Sequence, residues 1–150
     1  MIDLKKELYR QCVIYAQKRA EAAKEALDDA QAASIDDTKS SAGDKYETTR
    51  EMMQQETDRN LAQLNEANKL KVALSTIGTA GSKEVVEPGS VVITDNGKFY
   101  LAISAGVLTV NDEEYYAVSP ASPIGIKLKG LQSGNKFILN EKSYLIKQVI

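Results

Sequence analysis

The sequence predicts an α+β protein, in which a pair of long antiparallel helices precedes a small antiparallel β domain with one short helix. All three Pro residues and eight of the nine Gly residues lie at or beyond Gly78, so residues that break helices are nearly confined to the second half. Residues before Gly78 are rich in Ala, Gln, Glu, Lys and Leu, which favour helices. Residues after position 84 are rich in Val, Ile and Tyr, which favour strands.

The same shift in composition divides the 150 residues into three segments. We predict an antiparallel coiled-coil hairpin at 1–77, a linker at 78–84 that opens with Gly, Thr, Ala, Gly and Ser, and a β domain at 85–150. A chain of this length forms one domain or two small ones and is too short for a large α/β enzyme.

Apolar side chains recur mostly every three or four residues in both predicted helices, which is the spacing of one helix face. The two stripes mirror each other about residue 41, within a break of turn-forming residues at 38–43, as an antiparallel hairpin requires. About thirty residues per helix would make a rod on the order of 45 Å long. The stripe residues are Leu4, Leu8, Cys12, Tyr15, Ala22, Ala26, Ala30 and Ala33 in the first helix, and Leu61, Leu64, Ala67, Leu70, Leu74 and Ile77 in the second.

The second half contains short apolar runs separated by turn signals. Asp95, Asn96 and Gly97 form a strong hairpin signal between the first two runs. Ser122 is a predicted N-cap with Pro123 at the first position of a short helix, which Gly130 ends. The predicted strands are Ser90–Thr94, Lys98–Ile103, Val107–Val110, Tyr115–Val118, Lys136–Leu139 and Tyr144–Val149.

Composition excludes several classes of site. The chain has no His and one Cys, so it lacks the usual general base, a Ser-His or Cys-His pair, an internal disulfide and a cysteine zinc cluster. Cys12 lies on the helix stripe and is predicted to be a core residue.

The net charge of −2 argues against sequence-independent DNA binding by the chain alone. Charged residues near the N-terminus and the absence of a membrane-spanning apolar run predict a cytoplasmic protein.

Acidic residues gather at the predicted hairpin tip: Asp36, Asp37, Asp44 and Glu47. Asp44 and Glu47 are three positions apart, so both carboxylates can reach one hard cation such as Mg²⁺, although two ligands make a weak site alone. The same spacing is that of a capping box, with Asp44 as N-cap and Glu47 at the third helical position. Spacing alone favours the cap, and the two roles are partly compatible.

Two segments resemble the Gre family of bacterial transcript cleavage factors. Gly43–Glu47 is similar to the family's Gly-Asp-x-x-Glu tip motif. Val118–Gly125, followed by Leu128, Gly130 and Gly134, is similar to its Ser-Pro-(Ile/Leu)-Gly segment. The order of elements also agrees with the family: a helical hairpin, a linker and an FKBP-like β domain.

The resemblance implies a transcription elongation factor that is not itself an enzyme. Its C-terminal domain would dock on bacterial RNA polymerase through Ser122, Pro123 and Ile124. Asp44 and Glu47 at the hairpin tip would enter the secondary channel and help to hold a Mg²⁺ shared with the polymerase, which then cleaves its own backtracked RNA. The isolated chain would be a monomer without stably bound Mg²⁺, and it would meet nascent RNA and DNA only within the elongation complex.

Three other functions stay open at this stage. Thr48 and Arg50 replace the residues usual after the tip motif, which is compatible with a regulator that occupies the channel without stimulating cleavage. The helical stripes are also typical of an adaptor that dimerises through a coiled coil. A peptidyl-prolyl isomerase is the least favoured of the three, because such a site needs an aromatic-lined pocket and the second half of the chain offers only two Phe and four Tyr, with no Trp.

Overall fold

A computed structural model of the 150-residue chain describes residues 3–40, 44–77 and 84–150, with side chains for 3–32, 50–77 and 84–150. It contains two long helices followed by a six-stranded sheet and one short helix, which confirms the α+β class. Within these ranges no helix combines the length and the apolar character needed to cross a lipid bilayer.

The first helix, α1, spans Leu4–Ser40, and the second, α2, spans Asp44–Ser75. The carboxylate of Asp3 accepts hydrogen bonds from the backbone N–H groups of Lys5 (3.1 Å) and Lys6 (3.3 Å). These are among the N–H groups that no carbonyl within the helix can reach, so Asp3 acts as the N-cap of α1. Only residues 41–43 separate the helices, so the helical break is shorter than the predicted 38–43.

The chain divides into two compact units, and the division cuts through both helices. Unit one consists of Met1–Tyr15 together with Val72–Ile150, and unit two consists of Ala16–Lys71. Unit one therefore combines the start of α1 and the end of α2 with the sheet, whereas the sequence-based domains separate the helices from the sheet.

Within unit one, the start of α1 lies against the end of α2 and against the sheet. The hydroxyl of Tyr9 donates a 3.0 Å hydrogen bond to the carbonyl oxygen of Leu74. The side-chain amide of Gln11 donates a 3.0 Å hydrogen bond to the carbonyl oxygen of Thr109 in an edge strand. Leu8 and Cys12 are fully buried beside them. The helix ends of this unit are thus joined to the sheet by polar contacts around an apolar centre.

Within unit two, each helix buries one face, but not entirely the predicted one. The predicted stripe is wrong at Ala22, which is exposed, and at Leu61, which is 41% exposed. Ala23, which follows Ala22, and Asn60, which precedes Leu61, are buried instead. The rotation of each helix about its axis decides between adjacent positions. On α1 positions 22 and 23 are both alanine, so hydrophobicity leaves that rotation open, whereas on α2 the polar Asn60 is buried in place of the apolar Leu61. The buried residues are Ala16, Ala20, Ala23, Ala30, Asn60 and Ala67.

Six strands in unit one form a mixed sheet with the order β3-β4-β2-β1-β6-β5. The predicted strands all exist, with ends that differ by at most two residues. The short helix α3 spans Pro123–Leu128, between β4 and β5. The strands are β1 (Val91–Thr94), β2 (Gly97–Leu101), β3 (Gly106–Val110), β4 (Glu113–Val118), β5 (Lys136–Leu139) and β6 (Lys142–Val149).

The predicted all-antiparallel sheet is wrong at one pairing, because β2 and β4 run parallel, with Phe99 opposite Tyr116. After β2 the chain crosses to the outer edge as β3 and returns as β4 between β3 and β2. β4 therefore lies inside the sheet and β3 at its edge, although β3 (Gly-Val-Leu-Thr-Val) is no less apolar than β4 (Glu-Glu-Tyr-Tyr-Ala-Val). Local sequence signals do not specify which of two such strands takes the interior position.

Two hairpin turns contain residues with positive φ that are not glycine. Asn111 and Asp112 join β3 to β4 with φ of 53° and 65°, and Asn140 and Glu141 join β5 to β6 with φ of 52° and 67°. Positive φ at both central residues is the signature of the type I′ turn, whose twist matches that of the paired strands. The chain thus makes two tight hairpins without the usual Asn-Gly pair.

The main core of the sheet lies on the side that carries α3, which we call the α3 face. Aromatic rings cross it in a row, with centroids 5.8 Å apart for Tyr116 and Phe99, 6.1 Å for Phe99 and Tyr144, and 4.8 Å for Tyr144 and Phe137. Leu128 of α3 is fully buried in the same cluster. Its other buried members are Val86, Val92, Leu101, Ile146 and Val149.

Candidate functional site

The first part of the candidate site is the acidic pair at the start of α2. The helix begins at Asp44, so Asp44 and Glu47 belong to its first turn. The side chains of both residues lie outside the described part of the structure, and their predicted roles as Mg²⁺ ligands or as a capping box stay predictions. Within the described ranges, no group of three or more acidic or Cys side chains is placed to hold a metal ion.

The second part is the segment between β4 and α3, where Ser122 is the N-cap of α3 as predicted. Its hydroxyl oxygen accepts a 3.1 Å hydrogen bond from the N–H of Gly125 and donates a 2.6 Å bond to the carbonyl oxygen of Ser119. The backbone N–H of Ser122 in turn donates to the Ser119 hydroxyl at 3.1 Å. These bonds close Ser119–Gly125 into one loop that sets the direction of α3.

Gly125 is required by this loop. A Cβ at this position would lie far inside contact distance of the Ser119 carbonyl oxygen, 2.9 Å from the Ser122 hydroxyl oxygen and 3.0 Å from the Cα of Pro120. Real Cβ atoms essentially never approach a neighbour so closely. The Ser-Pro-Ile-Gly sequence therefore has a local structural role in addition to any binding role.

The three residues predicted to bind a partner have different environments. Pro123 is exposed at the first turn of α3, Ser122 is partly buried, and Ile124 packs against the core of the α3 face. Ile126 is 64% exposed on the same helix. Ile126 is not among the residues predicted from the sequence, although a residue two positions after Ile124 in a short helix lies on a different side of that helix.

A second group of exposed apolar side chains lies on two neighbouring strands of the sheet, β3 and β4. Val107 of β3 and Tyr116 of β4 are cross-strand neighbours and are 51% and 42% exposed. Because the Tyr116 ring contacts Phe99 in the core, Tyr116 lies on the α3 face. The preceding residue of the strand, Tyr115, is 4% exposed on the opposite face.

The predicted core role of Cys12 is confirmed. The residue is fully buried, and burial raises the pKa of its thiol to about 12. Burial also raises the pKa of Tyr100, which faces Cys12 and Tyr9 on the side of the sheet opposite α3. A thiol that stays protonated at neutral pH is a poor nucleophile, so this cluster is structural.

An ion pair links β2 and β4 on the face of the sheet opposite α3. The Lys98 ammonium lies 2.7 Å from a carboxylate oxygen of Glu113, and the Tyr115 hydroxyl donates a 3.1 Å hydrogen bond to the same oxygen. The hydrogen bond from Lys98 lowers the pKa of Glu113, and Glu113 raises the pKa of Lys98. Both side chains are partly exposed, so the pair is a modest contact between β2 and β4.

No protein family matches this chain, and the comparison with curated proteins finds no match.

Proposed function

We propose that this protein is a transcription elongation factor of the Gre type. It would dock on bacterial RNA polymerase through the β domain, insert the junction of α1 and α2 into the secondary channel, and stimulate cleavage of backtracked RNA. The observation that carries the proposal is the position of the acidic pair. Only residues 41–43 separate two helices of 37 and 32 residues, and Asp44 and Glu47 occupy the first turn after that junction.

The contacts of unit one support an antiparallel hairpin. Tyr9, in the second turn of α1, donates a hydrogen bond to the carbonyl oxygen of Leu74 near the end of α2. Two helices whose outer ends meet in this way and whose inner ends are three residues apart have the connectivity of a hairpin. We propose that it forms a coiled coil and that the β domain is an FKBP-like docking domain.

The donor chemistry of the pair fits a magnesium ion. Carboxylate oxygens are the ligands that Mg²⁺ prefers, and two of them leave room for ligands from a partner. When bound, the ion would supply an activated and oriented water. Asp44 and Glu47 would hold the ion, and one of them would orient the water. The chain alone would not bind Mg²⁺ stably, because two ligands are too few.

The α3 face supports the docking role. Pro123 and Ile126 present apolar surface from α3, and Val107 and Tyr116 present it from the sheet. Ser122 would act on docking mainly through the loop, because its hydroxyl already bonds to Ser119 and Gly125. Ile124 would act through its packing on the core.

The decisive experiment is RNA cleavage in a backtracked complex of the cognate polymerase, with Mg²⁺ present. Asp44→Asn and Glu47→Gln are sharper variants than alanine, because Asn is as good an N-cap as Asp and Gln also completes a capping box. If the carboxylates act on the metal, both variants lose cleavage while they still bind the polymerase. If Asp44 and Glu47 only cap the helix, both variants keep their activity, which would contradict the proposed tip chemistry.

The other functions give distinct outcomes. Binding to the polymerase without cleavage by the wild-type chain would favour the non-cleaving channel regulator. Absence of binding together with a dimer in analytical ultracentrifugation would favour the adaptor. The docking surface is tested by measuring binding to the polymerase. Pro123→Asp and Ile126→Asp are expected to weaken this binding. Circular dichroism should show that both variants keep the folded structure.

A further inference from the structure

Asn60 is an unusual buried residue of unit two. Its side chain is 7% exposed on α2, yet its amide nitrogen has no hydrogen-bond partner within the described part of the chain. Buried polar groups in proteins are nearly always paired, because a buried donor without an acceptor has lost its bonds to water. The neighbouring Leu61 is 41% exposed, so at this turn α2 buries a polar side chain and exposes an apolar one.

The surroundings of Asn60 offer little apolar packing to offset this loss. The side chains buried on α1 in this unit are all alanines, and the neighbouring positions of the α2 face are the partly buried Thr57 on one side and the partly buried Leu64 on the other. Alanine buries the smallest apolar area of the core residues, so the gain from packing is small here. Unit one, in contrast, buries Leu8 and Leu74 at the outer ends of the same helices.

We propose that Asn60 is a built-in opening site, at which α1 and α2 separate first when the protein fluctuates. Local separation lets the Asn60 amide bond to water, and it gives up the packing of small alanine side chains and of the partly buried Leu64. The cost of a buried unpaired donor corresponds to roughly a ten- to hundredfold increase in the population of the open form. The opening is confined to unit two, because the sheet and the helix ends of unit one have apolar cores of their own.

The test is amide hydrogen exchange of the full-length chain, read by mass spectrometry over peptides from unit two and from the sheet. Asn60→Leu removes the unpaired amide and adds apolar contact, and we expect exchange in residues 16–30 and 54–67 to slow about tenfold or more. Exchange in the strands is expected to stay unchanged. The matched control is Asn65→Leu, the same substitution at an exposed position of the same helix, which reports the change in helix propensity alone.

Two further variants keep the test decisive if leucine is too large for the site. Asn60→Ala removes the amide without added volume, with Asn65→Ala as its control. The double variant Asn60→Leu with Leu61→Asn keeps the composition and exchanges the buried and exposed side chains. Slower exchange in unit two supports the proposal, relative to Asn65→Ala for the variant Asn60→Ala and relative to the wild type for the double variant. If no Asn60 variant slows exchange in unit two beyond its control, or if the sheet slows equally, the opening site is refuted.

Discussion

The carbonyl oxygen of Ser119 lies so close to Gly125 that no side chain can be accommodated at that position. The change Gly125→Ala should therefore destabilise the protein by about 1–3 kcal/mol, because the backbone of the loop must move. At an open helical site the same change would stabilise by about 0.5–1 kcal/mol, so the sign itself is diagnostic. Urea unfolding followed by circular dichroism measures it.

The control for Gly125 is Gly134→Ala. Gly134 has a φ of 92° and no atom within 4 Å of an added Cβ, so alanine there is strained only by its backbone conformation, at about 1–2 kcal/mol. A Gly125→Ala protein as stable as the wild type would show that the Ser119–Gly125 loop is not rigid.

Cys12 is predicted to be chemically inert in the folded protein. Burial raises the pKa of its thiol to about 12, and a thiolate is the reactive form. At about pH 8, alkylation by iodoacetamide should be more than about a hundredfold slower in the folded chain than in urea, since a free thiol has a pKa of about 8.5. Fast labelling without denaturant would mean that the contact between α1 and the sheet opens readily.

Glu141 occupies a backbone conformation that suits glycine better. Its φ is 67° and its side chain is exposed, so Glu141→Gly should relieve the strain of the turn and stabilise the protein by about 1 kcal/mol. Thermal unfolding is the measurement. Glu141→Ala removes the same carboxylate but keeps the Cβ, so a gain of equal size from alanine would attribute the effect to charge and would contradict the strain argument.

The ion pair of Lys98 and Glu113 predicts a dependence of stability on pH. The pKa of Glu113 is lowered by folding, so its contribution is present at neutral pH and is lost as pH falls below the ordinary carboxyl range. The pKa of Lys98 is raised, so its contribution is lost only as the solution becomes strongly alkaline. Across neutral pH both groups favour the folded state.

The variant Glu113→Gln tests this dependence by urea unfolding between about pH 2 and 7. The difference from the wild type should be largest near neutrality and shrink as the pH falls, and added salt should reduce it. Glu114→Gln, at the exposed neighbouring position, is the control for the loss of one negative charge. A pH-independent difference would assign the effect of Glu113 to packing.

Local signals in the sequence were sufficient for the elements of the fold but not for their arrangement. Every predicted strand exists, and Ser122 caps α3, because turn chemistry and N-caps depend on a few neighbouring residues. The parallel pairing of β2 and β4 was not predicted, because the partner of a strand is decided by contacts between residues far apart in the sequence.

For the candidate site too, the sequence predicted local features and the structure decided their roles. The sequence supplied the motifs around Asp44 and Ser122, but neither motif distinguishes a structural from a functional role. The structure assigns the Ser122 hydroxyl and Gly125 to the hydrogen-bonded turn through which the chain enters α3. It also identifies the exposed Ile126, Val107 and Tyr116, since exposure depends on what covers a residue in three dimensions.

By itself, the sequence determined the α+β class, the two long helices, the six strands and the position of the acidic pair at the start of α2, because these follow from composition and short-range backbone preferences. Only the tertiary structure decided that Asn60 is buried and Leu61 exposed, and that β4 lies inside the sheet. Hydrophobicity by itself would have buried Leu61, so tertiary packing overrides the local pattern there, and the place of a strand in the sheet depends on residues far apart in the sequence.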